Sequence, residues 1–396
     1  VFQSLLHLPE DAILGLMSRY REDPSPRKVD LGVGVYRNEA GLTPVLDCVR
    51  SAERRILATQ STKSYVAPAG RSEFNLAVSE WVLGPGHPAL EERRVRTIQA
   101  PGGCGALRVG AELIRAAAPA VTVHLSDPTW GNHAPLLGGC GLRLARYPYY
   151  DPRAHGLRFE AMLEHLSAAP PGDVVLIHAC CHNPSGADLD EPQWRALIER
   201  LLERELIPFI DLAYQGLGVS PAADVAGLRL VVASVPESLV AVSFSKNLGL
   251  YRERVGALLA IGADATRADV MSSHVLQIAR SIYSMPPDHG AAIAAEILTD
   301  AELRSGWMVE LEAMRHRIVG MRALLADRLR AVTRSDAFEF LRTQRGMFSL
   351  LGVPAEAVNA LRGEHRVYMT ADGRINLAGV TAENVDYLAA SIGSVL

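Results

Sequence analysis

At 396 residues, 48% hydrophobic and 21% charged, with a formal net charge of -4, the chain is long enough for two or three domains and has a large apolar complement to bury. It carries no basic excess to recruit nucleic acid or an anionic membrane, and no apolar run reaches the roughly 18 to 20 residues of a membrane span. Small molecules are the expected partners. The N-terminal stretch VFQSLLHLPEDAILGLMSRY has no basic segment followed by a signal-peptide core, and the five cysteines (48, 104, 140, 180 and 181) form no CxxC. The chain therefore reads as cytoplasmic, with reduced and mostly buried thiols.

In chain order, residues 1 to 10 read as a short apolar arm that could pack on another subunit, and 11 to 20 as a helix with Asp11 as its N-cap. The segment 29 to 46 alternates as a strand does, then turns at Asn38 to Gly41; Gly32 and Gly34 permit either a tight turn or close approach by a ligand. Tyr65 stands before a Pro and Gly loop. The stretch 98 to 118 reads as a strand end, a glycine turn and a helix, an arrangement that binds anions on backbone N–H groups, although GGCG is neither GxGxxG nor a Walker loop. Trp130 follows Pro128 at the end of the next strand, where its ring either stacks on a flat heterocycle or packs its own loop.

The run 174 to 178 is a buried type of strand ending in His178; His182 lies four residues on, but strand context denies the pair the shared helical face of two zinc ligands. Asn183, before a proline, is a turn residue whose amide could also bond a phenolate-like oxygen. Beyond a helix over 190 to 204, Asp211 closes another apolar strand, so its carboxylate needs a cation: a structural arginine or a protonated pyridine nitrogen. The run Val240 to Gly256 places Lys246 just past a strand, bracketed by Ser243, Ser245 and Arg254, groups that hold a phosphate by hydrogen bonds. A phosphate beside a nucleophilic amine suggests pyridoxal phosphate, whose aldehyde forms a Schiff base with lysine.

Strands near 121, 143, 174, 207, 239 and 255 separated by helices predict an α/β domain with a mostly parallel sheet, and ligands of such sheets gather at strand ends. Beyond 262 the chain is mainly helical. Apolar positions from Trp307 to Val332 step by three and four and predict one long helix, a candidate bridge to a small α+β domain with short strands near 347 to 351 and 374 to 377. A nucleotide-dependent oxidoreductase is the alternative for such a sheet, but there is no GxGxxG followed some 20 residues later by an acidic side chain.

Taken together, APGGCGAL, SDPTWGNH, HACCHNPSGADL, IDLAYQG, SFSKNLGLYRERVG, ARSIYSMPP, RGMFSL and ADGRINLAG resemble, in order and spacing, the class I aminotransferases, and more narrowly the aspartate and aromatic amino acid aminotransferases. The resemblance implies a fold type I pyridoxal phosphate homodimer without metal, with an arm at 1 to 10, a small domain from 11 to 43 plus 314 to 396, and a large cofactor domain from 44 to 313. It implies that Lys246 is the Schiff-base lysine and proton carrier, that Asp211 partners the pyridinium nitrogen with His178 behind it, and that Asn183 and Tyr214 bond the ring hydroxyl oxygen beneath Trp130. Phosphate contacts are expected from Gly103, Cys104, Ser243, Ser245, Arg254 and Tyr65 of the second subunit. Arg374, with Gly34 and Asn183 beside it, is expected to grip the substrate carboxylate, and Arg280 from across the dimer to grip an acidic side chain. Cys104 replaces the usual hydroxyl residue, Phe244 a frequent tyrosine, and Met285 a small or polar residue. The expected reaction moves an amine from phenylalanine, tyrosine or aspartate to 2-oxoglutarate; an aspartate-preferring enzyme is the alternative.

Overall fold

Seven strands organise the chain in a computed structural model that describes residues 2–8 and 12–396; the expected cap at Asp11 lies outside the described residues. In chain order they are β1 (Val95–Pro101), β2 (Thr122–Asp127), β3 (Arg143–Pro148), β4 (Val174–His178), β5 (Ile207–Leu212), β6 (Ser238–Ser243) and β7 (Val255–Ile261). They lie in the order β1-β7-β6-β5-β4-β2-β3, and only β7 runs antiparallel to its neighbours. Every residue of β4, β6 and β7 is buried. Their runs VVLIH, SLVAVS and VGALLAI are what a sheet covered on both faces requires, since no side of the strand meets water.

One cover is the helix α1 (Gly102–Ala117), which follows β1 directly and buries Ala106, Leu107, Val109, Ala111, Leu113 and Ile114. Gly110 on that helix sits over Phe209 of β5, where a Cβ would lie 2.5 Å from the ring. The helix α2 (Ala265–Ile282) packs across β1 and α1. The predicted long helix is α3 (Ala301–Thr333): Asp300 caps it by accepting the Leu303 N–H at 2.9 Å, and Arg334 ends it with a left-handed φ of 54°. Trp307, fully buried near its start, donates its indole N–H to the Asn247 carbonyl at 2.8 Å. The loop that bears Lys246 is thereby tied to α3.

Three two-stranded sheets accompany this core among the described residues, one of them the hairpin of Tyr150–Asp151 with Gly156–Leu157. Val29–Asp30 pairs parallel with Val367–Tyr368, and Phe348–Leu350 pairs antiparallel with Arg374–Asn376, so that Leu350 faces Arg374. The alternation over 29 to 46 yields only the two-residue strand, contrary to expectation. The chain beyond it finds its partners in side chains: Asp30 accepts the Gly32 N–H at 3.0 Å, Asn376 donates to the carbonyls of Val33 (2.6 Å) and Val35 (2.8 Å), and Tyr251 accepts the Tyr36 N–H at 2.7 Å. With its polar groups so satisfied, the segment has no need of a ladder.

No helix among the described residues is long and apolar enough to cross a membrane. Gly256, in the middle of the sheet, has backbone on both sides: an added Cβ would lie 2.5 Å from the Gly102 carbonyl carbon and 2.6 Å from the Val242 oxygen. Gly306→Ala on α3 meets open space instead. In urea unfolding, Gly256→Ala is expected to lower stability by about 2 to 3 kcal/mol, and Gly306→Ala to raise it by roughly 0.5 to 1 kcal/mol; equal midpoints for the two variants would contradict this packing.

Candidate active site

The carboxyl ends of β4, β5 and β6 and the start of α1 open into one cavity of about 260 Å3. Lys246, Asp211, Asn183, His178, Tyr214, Trp130, Gly103, Cys104, Ser243, Ser245, Arg254, Gly34 and Arg374 all line it. Their sequence separation, from 34 to 374, is closed by topology: parallel strands deliver successive loops to one edge of the sheet.

Lys246 follows β6. Its ammonium donates a short hydrogen bond to the Gly34 carbonyl and lies 4.9 Å from the centre of the Tyr251 ring. Burial, reinforced by the nearby Arg374 and Arg254 guanidiniums, pushes its pKa down to about 8. Roughly a tenth of this amine is therefore uncharged and nucleophilic at pH 7, far more than for an ordinary lysine.

Asp211, at the end of β5, is buried, and among the described residues its side chain is paired with His133 Nε2 at 3.1 Å. His133 is fully buried and bonds Thr129 Oγ1 through Nδ1 at 2.8 Å. His178 sits beside Asp211 in the strand register and 5.1 Å from His133, ring centre to ring centre. Burial, with the adjacent His133 ring adding to it, pushes His178 down to about 3, so it is neutral; both of its nitrogens are buried without partners. His133, His178 and Asp211 offer three ligand atoms within 4.8 Å of one another, although the sequence gives no metal motif there. The carboxylate's more direct use is toward a cation entering the cavity.

Opposite lies an anion cradle. Gly102 has φ +71°, and a Cβ there would come within 2.5 Å of Arg254; at Gly103 a Cβ would meet that of Ser243 at 3.1 Å. The glycines let the first turn of α1 approach Ser243, Ser245 and Arg254. Ser243 Oγ donates to Ser245 Oγ at 3.1 Å, and Arg254 Nη1 donates to the Tyr251 carbonyl at 2.7 Å and reaches Ser245 Oγ at 3.5 Å. Helix N–H groups, two hydroxyls and a guanidinium with no acidic partner among the described residues fit a phosphate. Cys104 contributes a thiol raised by burial, with the Asn132 amide 3.9 Å away.

At the far end, Arg374 is buried on the ring of Phe348, 4.4 Å from its centre. It donates to Asn183 Oδ1 at 3.2 Å and to the Gly32 carbonyl at 2.9 Å, while its Nε is buried without a partner. Because the Asn183 oxygen is engaged, its amide NH2 is the end left to the cavity. Tyr214, whose phenol burial drives strongly upward, packs edge-on to Phe348, and Trp130 packs edge-on to His133 at 5.2 Å. Among the described residues the lining thus holds three cations, Lys246, Arg254 and Arg374, against one carboxylate, Asp211. That imbalance calls for a ligand with more than one negative charge and a cationic ring atom.

Two expected residues lie elsewhere. Tyr65 is 91% exposed and lines a different hollow, and Arg280, near the end of α2, is exposed and hydrogen-bonded to Ser284. Met285 is half-buried on the same segment, apart from the cavity. His133, Tyr251 and Phe348 belong to the site without having been singled out. His133 sat in SDPTWGNH, Tyr251 in SFSKNLGLYRERVG and Phe348 in RGMFSL, none with a chemical signal of its own.

Such a sheet, lysine and anion cradle define a chain built to hold a small, phosphorylated, ring-bearing molecule beside an amine. The sequence profile of the family described as Aminotransferase class I and II matches residues 26–392. The aromatic-amino-acid aminotransferase of Paracoccus denitrificans is 44% identical over 382 residues, 96% of each chain, and the aspartate aminotransferase of Salmonella typhi is 42% identical over the whole of both. The solved aromatic-amino-acid aminotransferase of Burkholderia pseudomallei, covalently bound to pyridoxal phosphate, superposes with a TM-score of 0.98 at 42% identity, covering 100% of this chain and 99% of that one. The chain belongs to the class I and II aminotransferases, with their fold type I architecture.

The lowered pKa of Lys246 has a direct readout. Its carbamylation by cyanate, followed by peptide mass spectrometry, is expected to rise with pH as the uncharged amine accumulates and to level off with a midpoint of about 8, whereas surface lysines titrate near 10.4. A midpoint above 10 at Lys246 would show that the site does not depress it.

Proposed function

We propose that the chain transfers amino groups from aromatic amino acids and aspartate to 2-oxoglutarate, using pyridoxal phosphate held at Lys246. The observation that carries the reading is the charge pattern of the cavity: an amine with its pKa lowered to about 8 between a phosphate cradle and a buried, partly unpaired arginine, with one carboxylate on the floor. Bound there, pyridoxal phosphate supplies an aldehyde for the amine and a protonated ring that accepts the electron pair left at the substrate α-carbon.

The chain's own groups divide the remaining work. Gly103, Cys104, Ser243, Ser245 and Arg254 hold the phosphate, and Asp211 keeps the ring nitrogen protonated, oriented by His133 and backed by neutral His178. The Asn183 amide and the Tyr214 phenol donate to the ring oxygen, and Trp130 covers one face. Arg374 takes the substrate α-carboxylate through its unused donors, a task suited to a fork of parallel N–H groups. Lys246 Nζ, freed when the substrate's own amine replaces it at the aldehyde carbon, would remove the proton from the α-carbon, and its depressed pKa would let one amine accept and return that proton at neutral pH.

Tyr65 and Arg280 point to a homodimer: neither reaches the cavity of its own chain, and each has a task at the cavity of a second copy, Tyr65 at the phosphate and Arg280 at an acidic side chain. The exposed apolar Phe2, Leu5, Leu6 and Leu8 fit an arm that packs on that copy. The proposed domains remain an arm at 1 to 10, a small domain from 11 to 43 with 314 to 396, and a large one from 44 to 313, supported by the pairing of Val29–Asp30 with Val367–Tyr368. The proposed compartment is the cytoplasm. The dual specificity rests on an apolar wall of Ile13, Leu107, Tyr251 and Phe348 for rings and on Arg280 for carboxylates.

With 2-oxoglutarate as acceptor, kcat/KM for phenylalanine or tyrosine is expected within about tenfold of that for aspartate, a gap of about 1.4 kcal/mol; a several-hundredfold preference for aspartate would make this an aspartate aminotransferase. Arg280→Ala should lower kcat/KM for aspartate about a hundredfold or more while changing phenylalanine by less than about fivefold. Equal losses would remove Arg280 from the side-chain site. Lys246→Ala should abolish turnover, and retained transamination would refute its assignment.

A further inference from the structure

We propose that Arg322, in the middle of α3, is a positioning residue for the carboxylate end of the substrate pocket: its guanidinium fixes the backbone on which Phe348 and Arg374 stand. The inference rests on the reading of Arg374 as the carboxylate grip. Arg322 is 1% exposed and lies outside the cavity lining. Its donors are all engaged: Nε to the Gly346 carbonyl at 2.9 Å, Nη1 to the Leu341 carbonyl at 3.1 Å and Ser349 Oγ at 2.8 Å, and Nη2 to the carbonyls of Arg345 at 3.2 Å and Phe348 at 2.6 Å. One side chain therefore dictates the path of residues 341 to 349.

That path ends in the two contacts that shape the grip. Phe348 supplies the ring under the Arg374 guanidinium, and Phe348–Leu350 is the strand paired with Arg374–Asn376. On its other side the same segment meets the Asn183 turn. The Arg345 N–H donates to the Gly186 carbonyl at 2.7 Å, and a Cβ at Gly186, φ +71°, would come within 2.4 Å of the Phe348 oxygen and 3.1 Å of Arg322 Nη2. Asn183, three residues earlier, holds Arg374 through Oδ1. Arg322 thus sets both the floor of Arg374 and the turn that fixes its orientation. Ser349 relays the clamp further, donating to Gln344 Oε1 at 2.5 Å, and the Gln344 amide donates to the Tyr150 hydroxyl at 2.7 Å.

Simple space-filling does not account for an arginine here. No carboxylate pairs with it among the described residues, and burial pushes its pKa down to about 10, the mark of a charge held at a cost that a methionine of similar volume would not carry. What a guanidinium supplies and an apolar side chain cannot is a rigid planar fork that sets five acceptors in one geometry. A lysine offers three donors and no plane.

The test uses the pyridoxal-phosphate-loaded enzyme with Arg322→Lys, Ser349→Ala and, as a comparison, Arg374→Lys, reading kcat and KM for phenylalanine and aspartate and the dissociation constant of succinate, an unreactive dicarboxylate. For Arg322→Lys and Ser349→Ala, KM and the succinate constant are expected to rise about tenfold for every substrate, with kcat changed by less than about threefold and cofactor affinity retained. Unchanged KM and succinate binding, with only a lower melting temperature, would make Arg322 a structural residue and overturn the inference. Should Arg322→Lys fail to fold, Ser349→Ala decides by the same two constants. If Arg374→Lys leaves succinate binding intact, the carboxylate reading itself fails; if Arg374→Lys weakens it and the other two do not, the positioning inference alone fails.

Discussion

An imbalance of buried charge governs this protein. Lys246, Arg254 and Arg374 converge on a small cavity whose lining, among the described residues, offers only Asp211 in return. Arg374 is buried and Lys246 and Arg254 are half-buried, so the three cations repel one another and give up part of their hydration, an arrangement the surrounding structure holds in place. The consequence is chemical: burial, reinforced by the Arg374 and Arg254 guanidiniums, depresses the Lys246 amine, and the same uncompensated positive charge favours anionic ligands.

The fold holds that arrangement with backbone more than with counter-ions. Arg374 is steadied by the Gly32 carbonyl, Lys246 by the Gly34 carbonyl and Arg254 by the Tyr251 carbonyl. Carbonyl dipoles orient a cation without neutralising it, so each remains available to an anionic ligand. The loop 31 to 36 matters for this reason: held by Asp30, Asn376 and Tyr251, it brings two glycines close to groups contributed from residues 246 and 374. The Lys246 loop is likewise anchored from behind by Trp307 and by the Asn247 amide, which donates to the Gln215 carbonyl at 3.2 Å.

Much of this was legible in the residues because strands with two covered faces write themselves as apolar runs. VVLIH, IPFIDL and SLVAVS each read as a strand with polar cavity-lining residues in it or just after it. The long helix from Ala301 was equally clear from its spacing. Segment 29 to 46 misled because alternation signals a strand only when a partner strand exists, whereas here side chains more than 200 residues away take up the hydrogen bonds. His133 was silent for a related reason: nothing local distinguishes a histidine at the start of a short helix that supports a carboxylate from one that packs. Arg322 drew no reading within the predicted long helix, and only the three-dimensional path of residues 341 to 349 explains why a charge stands on its buried side.

The central claim, that this cavity holds pyridoxal phosphate at one lysine, is tested most directly by saturating the purified protein with the cofactor, reducing with borohydride and mapping the modified peptide by mass spectrometry. The account predicts a phosphopyridoxyl group on Lys246 alone, lost in Lys246→Ala. Stable modification spread over surface lysines, with Lys246 untouched, would contradict it.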